Sequence, residues 1–207
     1  MSDISLEEGL QQLNCSVNEA QTQQLHRYVE MLLRWNKVYN LTAINNANDI
    51  LRLHIFDSLA VAPFIKGECF LDVGSGGGLP GIPLAILFPQ RHFTLLDTVG
   101  KKTRFMRQAV IQIKLPNVSV VQTRVESWSP DTLFDAIISR AFSSVADFVS
   151  LAGQHLHEQG SLYAMKGRYP KDELTALEPQ KYKVTAEHKL KIPQLDAERY
   201  LIEIKRT

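Results

Sequence analysis

The residues best suited to chemistry form one run, Asp72-Val73-Gly74-Ser75-Gly76-Gly77-Gly78-Leu79-Pro80-Gly81. It leaves a short apolar stretch, Cys69 to Val73, and enters a segment of helical character. Glycines at such a turn permit positive φ and let backbone N–H groups approach a ligand closely. Asp97 stands about twenty residues further on, closing the next apolar run. A carboxylate there can accept hydrogen bonds from both hydroxyls of a ribose.

The details narrow the ligand. The spacing is acid-x-Gly-x-Gly-x-Gly, and Leu79 fills the sixth place of the pattern begun at Gly74. Dinucleotide sites want a small residue there and an open helix N-terminus for pyrophosphate. Pro80 and Pro83 remove N–H donors from that terminus. No Lys-Ser/Thr pair follows the glycines, which excludes a nucleotide phosphate loop. Asp72 would repel phosphate, yet it can accept a bond from an ammonium group, directly or through water. A nucleoside with a ribose and an ammonium but no phosphate is S-adenosylmethionine. Contacts are expected at Gly74, Gly76 and Asp97. The plainer alternative, a tight strand–helix turn that binds nothing, leaves Asp97 unexplained. Arg124-Val125-Glu126 follows the third strand-like run, where a doubly wound fold passes an adenine. A backbone N–H of Val125 or Glu126 can read the ring; taken alone, the tripeptide is only a solvated loop.

The methyl acceptor is constrained by what the fourth run lacks. Ile138-Ser139-Arg140-Ala141-Phe142 contains no Asn/Asp-Pro-Pro-aromatic stretch of the kind used for exocyclic amines. Neither Cys15 nor Cys69 lies near enough to serve as the nucleophile that pyrimidine C5 methylation needs. What remains is an acceptor that needs no covalent activation. A ring nitrogen with a free in-plane lone pair, such as guanine N7, would attack without a general base, and catalysis then rests on alignment and electrostatics. Arg140 is the candidate catalytic residue, bound to the cofactor carboxylate or to an RNA phosphate. Its plainer reading is a salt bridge at a strand end.

These residues need a scaffold. The 207 residues are 44% hydrophobic and 22% charged, with net charge +1, a globular composition. No apolar run spans a bilayer, and Met1-Ser2-Asp3-Ile4 does not resemble a signal peptide. The two cysteines have no metal spacing and predict no disulfide, in keeping with a reducing cytoplasm. Leu25, Tyr28, Val29, Leu32 and Leu33 recur at helical spacing between Asn18 and Asn36. A second helix is expected from an Asn48 or Asp49 cap to Pro63, and a weaker one over Ile4 to Leu13. Strand-like runs begin only after residue 68: 69–73, 92–97, 118–121, 134–138 and 161–165. Helical segments separate them, at Pro83 to Leu87, Lys101 to Ile113 and Val145 to His157. Such alternation predicts an α/β fold with a mostly parallel, Rossmann-like sheet. Tyr182 to Leu190 and Tyr200 to Lys205 lack an intervening helix, so the sheet should finish antiparallel. The expected division is a helical segment at 1–66 packed on a catalytic domain at 67–207.

The chain resembles the bacterial 16S ribosomal RNA guanine-N7 methyltransferases. The matching stretches are Trp35-Asn36-Lys37, Tyr39-Asn40-Leu41-Thr42, His54 with Asp57-Ser58, Asp72 to Pro83, Leu95-Leu96-Asp97, Arg124-Val125-Glu126, Ser139-Arg140-Ala141 and Met165-Lys166-Gly167. They run in order from about residue 25 onward. The resemblance implies a class I methyltransferase fold, S-adenosylmethionine contacts at Gly74, Leu79, Val125, Glu126 and Arg140, and N7 methylation of one guanine in a conserved loop of small-subunit RNA. His54 and Asp57 have no derivable methyl-transfer role; they are expected to lock the helical segment to the catalytic domain, with substrate contact as the alternative. Basic residues cluster at Arg34 and Lys37, at Lys101, Lys102, Arg104 and Arg107, and at Lys166, Arg168 and Lys171. Lys166, Arg168, Arg104 and Arg107 are the expected RNA contacts, although charged helix faces are usually only solvated. The partner is 16S rRNA, the small subunit or its assembly intermediate; the protein is expected to be a cytoplasmic monomer without metal. Two rivals remain open: a small-molecule methyltransferase on the same fold, and an inactive ribosome-associated binding protein.

Overall fold

The computed structural model describes residues 4–140, 142 and 144–207. Ala141, at the end of the Ser139-Arg140-Ala141 stretch, lies outside the described residues. The N-terminal helices start where polar side chains can satisfy orphan N–H groups. Helix α1 (Leu6–Gln12) opens with a reciprocal Ser5–Glu8 capping box, and α2 (Glu19–Tyr39) with one between Asn18 and Gln21. Helix α2 buries Leu25, Tyr28, Val29 and Leu32, the face its periodicity predicts, and stops at left-handed Asn40.

The next segment departs from expectation. Asn46, rather than Asn48 or Asp49, supplies the N-cap by accepting from the Asp49 N–H. The chain then runs through α3 (Ala47–Ile50), a π-helical stretch (Leu51–Phe56) and α4 (Asp57–Leu59). Apolar spacing cannot announce a π stretch, which inserts an extra residue into a turn without changing which residue types face inward.

Seven strands form one sheet: β1 (Cys69–Val73), β2 (His92–Asp97), β3 (Val118–Gln122), β4 (Phe134–Ser139), β5 (Leu156–Lys166), β6 (Tyr182–Lys189) and β7 (Tyr200–Arg206), in the order β3-β2-β1-β4-β5-β7-β6. The first five are parallel; β7 inserts antiparallel between β5 and β6. The order reverses between β1 and β4, so their carboxyl ends open the crevice where such sheets hold ligands. Helices α5 (Gly81–Leu87) and α6 (Gly100–Ile113) share one apolar cluster with α1, α2 and the 47–59 segment. Helices α7 (Val145–Ala152) and α8 (Lys171–Thr175) cover the opposite face.

The helix expected to reach His157 ends at Ala152. A 3₁₀ turn (Gly153–His155) follows, and β5 begins at Leu156, well before Ser161. Leu156 pairs with Phe134 across an irregular register, and buried His155 Nε2 bonds the Val125 carbonyl at 2.8 Å. These long-range partners override local helical preference.

Candidate active site

The glycine run is shaped by hydrogen bonds to two acids. Gly76 adopts φ +59°, between Gly74 and Gly78 that are likewise positive, and its N–H donates to Asp97 Oδ2 at 2.8 Å. The Val99 N–H donates to Asp97 Oδ1 at 2.9 Å. Asp97 is thereby fixed at the tip of β2 by two backbone N–H groups. Gly81 is required for a different reason. A Cβ there would lie 2.2 Å from Leu95 Cδ2 and 2.8 Å from Asp72 Oδ2. Its N–H instead donates to Asp72 Oδ2 at 2.8 Å, binding the start of α5 to β1.

Asp72 corrects one expectation. It is only 1% exposed and lines none of the three cavities described below, so it offers no direct contact to a bound ammonium. Its Oδ1 is buried without a hydrogen bond. Burial raises its pKa to about 7, against the opposing pull of the Gly81 and Ser75 hydrogen bonds.

Three cavities lie along the carboxyl ends of the strands. The first, about 360 Å³, is walled by Gly74, Asp97, Val99, Val125, Glu126 and Phe142 among others. The second, about 190 Å³, is walled by Gly74, Gly76, Leu79, Lys102, His54 and Arg140 among others. The third, about 350 Å³, takes His54, Asp57, Arg140, Met165, Arg199 and Tyr200 among others. Gly74 and Lys102 border the first two, while His54 and Arg140 border the last two. The expected residues Gly74, Asp97, Val125 and Glu126 therefore meet in one cavity, and Gly76, Leu79 and Arg140 meet in its neighbour.

Arg140 is held from the N-terminal segment. Its Nη1 lies 3.3 Å from Asp57 Oδ2 and 3.2 Å from the Leu53 carbonyl. Asp57, nearly sealed at 4% side-chain exposure, also takes Arg199 Nε on Oδ1 at 3.0 Å. One carboxylate from the helical segment thus bridges arginines at the end of β4 and beside β7. Both oxygens of Asp57 are committed to these arginines. The interdomain lock expected of Asp57 and the salt bridge considered for Arg140 are the same contact. His54 Nε2 lies 2.9 Å from Thr42 Oγ1, and burial, followed by the Arg140 charge, lowers its pKa to about 4. Arg199 was missed in the sequence because no motif or periodicity ties it to Asp57, 142 residues away. Tyr28 was visible only as part of an apolar face, yet its hydroxyl donates to the Gly77 carbonyl at 2.6 Å.

Among the basic residues, Lys166 is 11% exposed and paired with Glu173 at 2.7 Å, so a phosphate would have to compete with that carboxylate for its ammonium. The same Glu173 oxygen accepts from the Val145 N–H at 2.8 Å, and the pair thereby fixes the start of α7. Arg168, Arg104 and Arg107 are exposed. Lys101 is exposed as well and donates to the Tyr39 carbonyl at 2.7 Å, at the end of α2. Lys102 turns inward to the first two cavities. Among the described residues, no cluster of His, Cys, Asp and Glu is disposed to hold a metal, and no helix is long and apolar enough to cross a membrane.

Solved structures share this architecture. A ribosomal protein L11 methylase from Lactobacillus delbrueckii matches with TM-score 0.58 at 17% identity, over 79% of this chain and 81% of that one. TrmK from M. capricolum, solved with S-adenosyl-homocysteine, matches with TM-score 0.57 at 14% identity, over 73% and 68%. At such identities the likeness establishes the fold alone, a Rossmann-like α/β sheet. Sequence relatives are much nearer. Ribosomal RNA small subunit methyltransferase G from Shigella flexneri and from Escherichia coli K12 are each 50% identical over 196 residues, 95% of this chain and 94% of theirs. The GidB family model, described as rRNA small subunit methyltransferase G, matches residues 21–202. The chain belongs to the family of rRNA small subunit methyltransferase G.

Proposed function

We propose that this protein transfers a methyl group from S-adenosylmethionine to N7 of a guanine in 16S small-subunit rRNA, without a covalent enzyme intermediate. The observation that carries the reading is Asp97, anchored by the Gly76 and Val99 N–H groups and bordering a cavity whose other wall holds Val125 and Glu126. The residues present fit the cofactor. An acid at the tip of β2 suits a ribose diol, and the glycine turn directs the Gly76 N–H onto that acid rather than towards a phosphate. Cofactor when bound supplies a methyl group on a cationic sulfur.

The protein's part is placement. Asp97 receives the ribose hydroxyls, and the Val125–Glu126 backbone flanks the adenine. Gly74, Gly76 and Leu79 border the amino-acid arm, with Arg140 available to its carboxylate. Guanine N7 needs no proton removed, so the transfer asks for no general base. What remains is in-line alignment of donor and acceptor, worth several kcal/mol when it is preorganised, on the order of 7–11 at best. Residues 1–66 act as the segment that completes the site, and 67–207 as the catalytic body. RNA meets Arg104, Arg107 and Arg168, and the protein works as a monomer in the cytoplasm.

The test is to incubate the protein with methyl-labelled cofactor and small subunits, or their RNA, from cells lacking this gene. Label on a guanine N7 is the expected result. Absence of cofactor binding by calorimetry would leave an inactive binder, and binding without RNA labelling would return the small-molecule reading.

A further inference from the structure

The third cavity has no part in holding the cofactor as described above, yet it opens against the same Arg140 and His54 that border the second. Its lining is that of a nucleobase slot. Ile44, Leu53, Met165 and Leu190 supply apolar walls, and Tyr200 supplies an aromatic one. Three cations border it: Arg140, Lys166 and Arg199. Among the described residues, the only carboxylate in its lining, Asp57, already bridges Arg140 and Arg199. At about 350 Å³ it lies within the range of small-ligand sites and can take one nucleotide.

Enzymes that modify a base act on single-stranded substrate or extrude the base into a pocket, where stacking on an aromatic or apolar side chain and hydrogen bonds hold it. We infer that this cavity receives the extruded acceptor purine nucleotide, with Tyr200 as its stacking surface and Arg199 as the cation for its O6 or 5′-phosphate. The inference rests on the methyltransferase reading above and adds the acceptor's place to it. Asp57 acts as a positioning residue: by holding one arginine on each oxygen, it sets Arg140 towards the cofactor side and Arg199 towards the acceptor side.

Gly167 gives a variant that tests the cavity without disturbing the fold. It lines the cavity, is exposed, and a Cβ built there would meet only Arg199 Nη1, at 3.9 Å. Gly167→Leu should place a side chain in the slot. The expected result is S-adenosylhomocysteine affinity within twofold of wild type and RNA methylation reduced at least a hundredfold. Arg199→Ala should raise KM for RNA at least tenfold, with partial recovery in Arg199→Lys. As a readout independent of turnover, small-subunit RNA carrying sparse 6-thioguanosine should photo-crosslink to peptides containing residues 165–167 or 199–200 when S-adenosylhomocysteine is present. Gly167→Leu at wild-type activity, or crosslinks confined to other peptides, would overturn the inference while wild-type RNA methylation leaves the parent reading standing. Wild-type protein that labels no RNA would overturn both.

Discussion

Asp97 uses both carboxylate oxygens on backbone N–H groups and still borders the nucleoside cavity. Asp97→Ala should therefore weaken S-adenosylmethionine binding by about 1–3 kcal/mol, the usual cost of losing charged hydrogen bonds, measured by calorimetry on folded protein. Unchanged affinity would remove the ribose assignment. Asp72 and His54 make a paired prediction about pH. Burial raises Asp72 to about 7, so its contribution to stability is complete below the ordinary carboxylate value and is lost as pH rises through 7. His54 is depressed to about 4, so its contribution is complete above the ordinary histidine value and is lost as pH falls towards 4. The two slopes oppose each other in the wild type. The stability of Asp72→Asn relative to wild type should grow as pH rises from 4 to 7, and that of His54→Gln should grow as pH falls over the same range. Denaturant midpoints at several pH values would show both; parallel curves would mean neither group titrates as its surroundings require.

At the scale of elements, α2 works as a bracket. Gln21 Nε2 donates to the Ile86 carbonyl at 2.7 Å, Gln24 Nε2 to Ile113 at 3.0 Å, and the Tyr28 hydroxyl to Gly77 at 2.6 Å. One helix thereby satisfies terminal carbonyls of both α5 and α6 and holds the glycine turn from behind. Tyr28→Phe keeps the packing but leaves a buried carbonyl unpaired, so it should cost about 1–3 kcal/mol of stability in urea unfolding. It should also loosen cofactor binding, which a variant affecting packing alone would not do. The apolar stripe of α2 was plain in the sequence, but its polar reach was not. Periodicity reveals which face is buried and carries no information on which carbonyl a glutamine will find. The same limit hid the π stretch at Leu51–Phe56 and the Asp57–Arg199 bridge. By contrast, the glycine turn, the position of Asp97 and the alternation of strands and helices were legible, because they depend on residue type and on short spacing, while the insertion of β7 between β5 and β6 was not. Lys166, expected to follow the fifth strand, is the last residue of β5, and its pairing with Glu173 was hidden because a charge on a sequence does not reveal which acid folds back to meet it.

Across the whole molecule, net charge +1 hides an uneven distribution. No acidic residue occurs between Met31 and Asn46 or between Thr98 and Val125. Those stretches hold exposed Arg34 and Lys37 near the end of α2 and exposed Lys101, Arg104 and Arg107 along α6, two helices that pack together. The α6 lysines sit in its first turn, where the helix dipole favours acids. Stability does not ask for cations there, but a polyanion crossing the mouth of the site would. Arg104 and Arg107 are exposed and make no ion pair among the described residues, so a charge-reversing pair should leave the fold and cofactor affinity intact. For Arg104→Glu with Arg107→Glu, KM for RNA should rise. The dependence of log affinity on log salt should become shallower by about 0.7 to 0.9 per lost phosphate contact. Filter binding from low to physiological salt would measure this. An unchanged slope would place the RNA on another face, and the basic surface of α6 would be a solvated one.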